Sequence, residues 1–202
     1  MGRRKKEPRE VHRKNISESA SILFMEKGLV NTSMDEIAKK AGYSKATIYV
    51  YFENKEEIVN YLVLESMTKL YDYVYEALKK ETIKEKYLAI CFGLLSYQEE
   101  FPYYFNTVVN KISFKTKPSD EETYLVGEKI NELLIGLFSE AIKKGQIKPN
   151  IDILQMSFSV WGMLTGLIQM ATNKKEYIEK ELKIEKNAFL KDGFEMIFHS
   201  LN

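Results

Sequence analysis

Residues 32–57, which read TSMDEIAKKAGYSKATIYVYFENKEE, contain the signals that decide the fold of this chain. Ser33 and Glu36 are spaced as a capping box, in which each side chain bonds to the other residue's backbone N–H, and the pair predicts the start of a helix. Gly42 predicts its end, because glycine readily adopts the left-handed conformation that closes a helix. Ser44 can then cap a second short helix. The stretch therefore predicts two short helices joined by a turn that contains a glycine.

The second short helix is predicted over residues 45–52. Ile48 and Phe52, four residues apart, lie on one side of it and should face the core. The other side carries an ammonium group, a hydroxyl and an aromatic ring, at Lys45, Thr47 and Tyr49. These groups can contact base edges or phosphates, so the outer side of this helix is a candidate DNA-reading surface.

Longer helices are predicted on both sides of this pair. Before it, four apolar residues at helical spacing form a stripe that ends at Gly28, and they are Ile16, Ala20, Leu23 and Phe24. After it, Asn54 and Glu57 form another capping box that starts a long helix. The arrangement predicts a helix-turn-helix whose second helix fits the major groove. A three-helix packing element without DNA contact is the alternative that the pattern leaves open.

The same stretch resembles the DNA-binding signature of the tetracycline-repressor (TetR) family. The capped helix starts, the Ala-Gly turn, the Tyr-x-Tyr-Phe run and the Asn-Lys-Glu-Glu run occur in the family's order over about a quarter of the chain. The resemblance implies an all-α protein that binds a palindromic operator as a homodimer. It also implies that a small molecule in the C-terminal domain releases the DNA, and that the protein is a repressor.

The family's DNA contacts carry over to two sets of positions. The resemblance implies that the recognition helix meets bases and phosphates through Ser44, Lys45, Thr47 and Tyr49. It implies further phosphate contacts at Thr32, Ser33, Tyr51 and Lys55. Many members have histidine where this chain has Val50, so a polar contact is not expected there, and an apolar contact with a thymine methyl group is open instead. Core packing remains open for Tyr51, and helix capping alone remains open for Thr32 and Ser33.

The charge is distributed unevenly, although the net charge is only +1. Residues 1–52 carry a charge of +5 and residues 53–202 carry −4. All four arginines lie in the first thirteen residues, and Arg3 and Arg4 begin a basic arm suited to phosphates or the minor groove. A solvated tail is the alternative reading of this arm. We expect a DNA-binding domain at residues 1–52 and an effector-binding and dimerisation domain at residues 53–202.

Cysteine usage and the N-terminus indicate the cytoplasm. Cys91 is the only cysteine, so a secreted scaffold held by disulfides is excluded. The basic start is not followed by an apolar run that would form a signal peptide. Residues 153–173 carry no charge, but their polar groups favour a buried helix, covered on more than one face, over a membrane span.

The last two predicted helices are apolar enough to form a dimer interface across a two-fold axis. The family places its dimer contact there too, and the candidate contacts are Phe158, Trp161, Leu190, Phe194, Ile197 and Leu201. The alternative is that these side chains only complete the core of one chain.

An aromatic cluster predicts a ligand cavity for a small, mostly apolar or aromatic effector. The candidate lining combines rings with adaptable or polar groups, at Tyr97, Phe101, Tyr104, Phe105, Trp161, Met163 and Gln169. Core packing is the alternative for each ring.

Enzymatic activity is not expected. The chain has two histidines and shows no phosphate-binding loop, dinucleotide fingerprint or histidine-rich metal motif, so no catalytic residue, metal site or cofactor is predicted. The second hypothesis for function is an architectural or partner-controlled DNA-binding protein without a small-molecule effector.

Overall fold

The computed structural model describes residues 7–110, 118–148 and 151–201, and the side chains within these ranges except those of 107–110 and 118–120. The described residues contain helices and no strand. The helices are α1 (Arg9–Lys27), α2 (Met34–Ala41), α3 (Lys45–Tyr51), α4 (Lys55–Ala77), α5 (Ile83–Glu100), α6 (Pro102–Asn110), α7 (Pro118–Lys143), α8 (Ile153–Asn173), α9 (Lys175–Lys180) and α10 (Lys186–His199). The predicted all-α fold is confirmed.

The chain divides into two compact units. One comprises Met1–Glu65 and Phe114–Thr123, and the other comprises Ser66–Ser113 and Tyr124–Asn202. The division in the N-terminal part falls after Glu65, within α4, and not at the boundary after residue 52 that the charge distribution favoured. The early turns of α4 belong to the first unit because Ile58 and Leu62 are buried.

The local signals in the first unit act as the sequence predicts. Gly28 follows α1 with φ of 82°, and Gly42 follows α2 in the left-handed conformation with φ of 75°. Ser33 and Glu36 form both bonds of the capping box. The Ser44 hydroxyl accepts a bond from the Thr47 N–H and starts α3.

The core of the first unit includes the inner side of α3. Ile48 and Phe52 are fully buried, as their spacing predicts, together with Ile16, Ala20 and Phe24 of α1. Burial of large apolar side chains is the main favourable contribution to folding. The inner side of α3 is thereby fixed, and its outer side is left in solvent.

The core of the second unit joins α5, α8 and α10. Tyr87 of α5 and Phe194 of α10 are buried together, and the Tyr87 hydroxyl donates to the Phe194 carbonyl at 3.2 Å. Cys91 of α5 is fully buried, and burial raises the pKa of its thiol to about 12. The thiol is therefore protonated and unreactive at neutral pH, as expected for a structural cysteine.

Helix α8 is buried on one side only. Its buried side includes Met156, Val160, Leu164 and Ile168. Its opposite side exposes large apolar groups at Leu154, Phe158, Met163 and Met170. The described residues of one chain leave this side of α8 exposed, so the expectation that α8 is covered on more than one face stays a prediction. By length and composition α8 could cross a membrane, but one such helix is weak evidence for a membrane span.

Candidate DNA-binding surface

The outer side of α3 presents a small set of side chains to solvent. Lys45, Tyr49 and Val50 are exposed, with Tyr49 47% exposed. Ser44 and Thr47 bond to each other through their hydroxyls at 2.8 Å while Ser44 caps the helix. The groups most accessible to a partner are therefore an ammonium, a phenol and an apolar side chain.

Lys45 is paired with a carboxylate of the neighbouring helix. Its Nζ lies 2.8 Å from Oδ1 of Asp35 in α2. The hydrogen bond that the Lys45 ammonium donates to Asp35 raises the pKa of Lys45 above its ordinary value, so this side chain is charged at neutral pH. The pair fixes the position of the only charged side chain in α3.

Thr32 has a structural role, contrary to the prediction that it contacts phosphate. Its side chain is buried, and its hydroxyl donates to the Gly28 carbonyl at 2.9 Å. Ser33 is exposed, but its hydroxyl and N–H both bond to Glu36. Lys27 also bonds to Glu36, and these partners lower the pKa of that carboxyl to about 2. The α2 start is thus bonded to α1.

The ammonium group of Lys55 is also bonded within the protein. Its Nζ donates to the Leu29 carbonyl at 2.8 Å and to the Thr32 carbonyl at 2.6 Å. The side chain is half-buried and ties the first turn of α4 to the segment that leads into α2. We therefore expect Lys55 to act structurally, and its phosphate contact stays a prediction to be tested.

Two arginines of α1 hold the end of α3, a role that the sequence pattern does not reveal. The Arg9 guanidinium donates to the Val50 carbonyl at 3.2 Å, and that of Arg13 donates to the Tyr51 carbonyl at 3.0 Å. Cations at a helix C-terminus interact favourably with its dipole. Tyr51 is half-buried and its ring lies 5.2 Å from the ring of His12, which supports core packing for Tyr51.

The basic arm is only partly described. Arg3 and Arg4 lie outside the described residues, so their predicted DNA contacts stay predictions.

A cavity in the second unit differs in position from the predicted one. It has a volume of about 140 Å³, and its apolar lining comprises Met67, Leu70, Ile130, Leu134, Phe158 and Trp161. Asn131 and Ser157 add polar groups. The lining comes from α4, α7 and α8, and Trp161 is the only predicted ligand residue among the described residues that line it.

The other predicted ligand residues lie elsewhere. Tyr97, Tyr104 and Phe105 are buried in the core, and the Tyr97 hydroxyl donates to Ser66 at 3.2 Å. The half-buried ring of Phe101 packs against Tyr97 with 5.6 Å between ring centres. For these four rings core packing is the better account, because a ligand cannot reach side chains that already fill the core.

Met163 and Gln169 lie on the exposed surface of α8. The Gln169 Nε2 group donates to Asn106 Oδ1 at 3.1 Å, so this amide bonds to α6. Neither residue is among those described around the cavity.

The predicted dimer contacts separate into two groups. Phe158 is exposed and Trp161 is half-buried on α8. Leu190, Phe194 and Ile197 are buried inside the unit, and the ring of Phe194 lies 5.6 Å from that of Phe92. These three complete the core of one chain, so their prediction as dimer contacts is corrected. Leu201 follows α10, and its carbonyl accepts a bond from the Lys148 N–H.

A larger open cleft of about 470 Å³ lies in the same unit, lined by residues that include Lys84, Lys148 and His199. In the described part of the chain, no group of three or more His, Cys, Asp or Glu side chains could hold a metal ion.

The three-helix arrangement of α1 to α3 defines a helix-turn-helix DNA-binding protein. Residues 16–62 match the family model described as bacterial regulatory proteins, tetR family. The fatty acid metabolism regulator protein of Bacillus subtilis (strain 168) is 28% identical over 160 residues, which are 74% of this chain and 77% of that protein.

Solved structures extend the similarity of fold to nearly the whole chain. The TetR family transcriptional regulator PfmR from Thermus thermophilus is 24% identical with a TM-score of 0.71, over 93% of this chain and 98% of that one. FadR from Bacillus subtilis, solved in complex with stearoyl-CoA, is 21% identical with a TM-score of 0.70, over 94% and 99%. The matched domain, the curated relatives and the structural neighbours all point to a TetR family transcriptional regulator.

The position of Lys55 leads to a prediction about stability. Lys55→Met should lower the free energy of unfolding by about 1.5–3 kcal/mol, the usual worth of hydrogen bonds to a charged group. Chemical denaturation would measure it, with Lys14→Met as the control because Lys14 is exposed on α1. The salt dependence of DNA binding should stay the same, since Lys55 contacts carbonyls and not phosphate. Unchanged stability with a shallower salt dependence would restore the phosphate assignment.

Proposed function

We propose that this transcriptional regulator is a repressor that binds a palindromic operator as a homodimer in the cytoplasm. A small, mostly apolar effector in the second unit then causes it to release the DNA. The observation that carries the proposal is the outer side of α3, where Lys45, Tyr49 and Val50 are exposed while Ile48 and Phe52 anchor the inner side.

The exposed side chains of α3 have the chemistry of DNA contacts. Lysine can bond to guanine edges or phosphates, a tyrosine hydroxyl can donate to phosphate oxygens, and valine can pack on a thymine methyl. In a dimer, two such helices about 34 to 36 Å apart would enter successive major grooves on one side of the duplex. A bound dimer would block polymerase, which supports repression.

The exposed face of α8 is the proposed dimer surface. Phe158, Met163 and Met170 are exposed on this face, and Met196 is exposed on the adjoining α10. Gly162 and Gly166 lie on the same side of α8, and open space surrounds each of them, so a second helix could approach closely. An apolar face of this kind in a soluble protein is typically covered by another copy or a partner.

The cavity of the second unit supports an apolar effector. Its lining is mostly hydrocarbon and aromatic, with Asn131 and Ser157 as polar groups that could orient a ligand. The B. subtilis relative is named for fatty acid metabolism, and FadR from the same species was solved with stearoyl-CoA. We therefore propose fatty acyl chains as the first class to test. A cavity of about 140 Å³ would hold part of such a chain, and Met67 could move to widen it.

Helix α4 supplies a route from the cavity to the DNA-reading helix. Met67 and Leu70 of α4 line the cavity, and Lys55 and Glu57 in its first turn bond to the segment before α2 and to Arg13. An effector that displaces Met67 would move the first turn of α4, and with it α3, away from the spacing that the operator requires.

The DNA-reading assignment predicts the effect of two substitutions. Lys45→Ala and Tyr49→Ala should each weaken operator binding about tenfold or more, since a lost contact costs about 1–3 kcal/mol and occurs in both half-sites. Sites selected from genomic DNA would supply the operator, and fluorescence anisotropy would measure its affinity.

Matched controls are available outside α3. Tyr75 matches Tyr49, because both are 47% exposed. Lys175 matches Lys45, because each is paired with a carboxylate and their side chains are 58% and 62% exposed. Tyr75→Ala and Lys175→Ala should leave operator binding unchanged. Equal losses from test and control variants would disprove the role of α3.

The proposed dimer surface predicts that Phe158→Glu gives a monomer, because two carboxylates would be buried across the two-fold axis. Light scattering after size-exclusion chromatography would measure the mass. Phe158 and Tyr177 are both 59% exposed, so Tyr177→Glu is the control and should remain dimeric. A Phe158→Glu protein with the mass of a dimer would place the interface elsewhere.

The cavity predicts that effector binding can be blocked by filling it. Gly127 of α7 lines the cavity, and a Cβ there would meet only the Met67 side chain, at 3.7 Å. Gly127→Leu should abolish the response to fatty acyl chains, whereas Gly136→Leu on the same helix, where a Cβ meets nothing, should not.

Fluorescence of Trp161, the only tryptophan, reports binding, and anisotropy of labelled operator reports release. If no acyl chain changes either signal, the partner-controlled alternative is favoured. If both glycine variants respond like the parent protein, the effector binds outside this cavity.

A further inference from the structure

The first turn of α2 places a carboxylate against the proposed DNA-reading surface. Asp35 Oδ1 and Oδ2 lie 2.8 Å and 3.0 Å from Lys45 Nζ, and both side chains are 62% exposed. A carboxylate at this position repels DNA phosphates, so it weakens binding unless it has a role in recognition.

Capping of α2 does not require Asp35. Ser33 and Glu36 form the two bonds of the capping box, and Glu36 also bonds to Lys27. Asp35 adds a favourable charge at the helix start, but its carboxylate accepts a hydrogen bond from Lys45 of α3. The Asp35–Lys45 ion pair therefore restrains Lys45, the charged side chain of the recognition helix.

Lys45 has two classes of DNA partner. An unrestrained lysine has a flexible four-carbon chain and reaches any nearby phosphate, which adds affinity for all sequences. A lysine held at its ammonium keeps two remaining N–H donors in a fixed direction, which suits the paired acceptors O6 and N7 of guanine. The bond to Asp35 favours the second state.

We propose that Asp35 is a specificity-determining positioning residue, which holds Lys45 toward a base edge and keeps its charge from the phosphates of non-operator DNA. This inference rests on the proposed function. It assigns to an acidic residue of α2 a part in sequence discrimination that is separate from the α3 contacts themselves.

The test compares operator and non-operator duplexes over a range of salt concentrations with full-length protein. Asp35→Asn should strengthen non-operator binding by about fivefold or more, the effect of one removed exposed ion pair in each half-site. Operator affinity should rise less, so the ratio of the two affinities falls. The salt slope for non-operator DNA should steepen by about one unit per half-site, because Lys45 then neutralises a phosphate.

Three further variants separate this role from a general charge effect. Asp72→Asn makes the same change of charge at an exposed position of α4 and should leave the affinity ratio unchanged. Asp35→Glu keeps a carboxylate and should retain most of the discrimination. In a Lys45→Ala background, Asp35→Asn should no longer steepen the salt slope. If circular dichroism shows that Asp35→Asn is unfolded, Asp35→Ser serves in its place.

The outcomes distinguish this inference from the proposed function. If the parent protein shows no preference for any selected sequence, the proposed function fails and this inference fails with it. If the parent protein discriminates and Asp35→Asn discriminates equally well, only the role of Asp35 is wrong. An equal gain in affinity in the Lys45→Ala background would show that Asp35 merely repels phosphate, and would also overturn the inference.

Discussion

The guanidinium of Arg13 joins the three helices on which DNA reading depends. It donates to the Tyr51 carbonyl at the end of α3, and pairs with Glu57 in the first turn of α4 at 3.3 Å. The same group lies 4.3 Å from the ring centre of Phe52 and 4.9 Å from that of Tyr61. Because an arginine has five N–H donors and a planar face, it can serve all of these partners at once.

Lys55 completes this arrangement on the other side of the helix-turn-helix. Its bonds to the Leu29 and Thr32 carbonyls hold the segment that enters α2, while Arg13 holds the end of α3. Both contacts involve the first turn of α4, through Lys55 itself and through Glu57. The orientation of α3 therefore depends on α4. For this reason the proposed effector response requires only a shift of α4, without a change in the packing inside the helix-turn-helix.

Signals confined to a few neighbouring residues were predictable with accuracy. The Ser33 and Ser44 caps and the left-handed Gly42 lie where the sequence indicates, because each bond joins residues no more than a few positions apart. Contacts between distant residues were not predictable in this way. Lys55 and Thr32 match DNA-contacting positions of the family, yet their polar groups bond to backbone carbonyls of the first unit.

The sequence by itself determined the helices, their caps and the exposed outer side of α3, since helical periodicity and capping depend on local spacing. It also determined that the last helices are strongly apolar. Only the tertiary structure decided which apolar residues are internal, because burial depends on the neighbouring helices. Phe194 fills the core of one chain and Phe158 faces solvent, although both belong to apolar stripes of similar appearance. Likewise, only the packing of α2 against α3 brought Asp35 to Lys45, ten residues away in the chain.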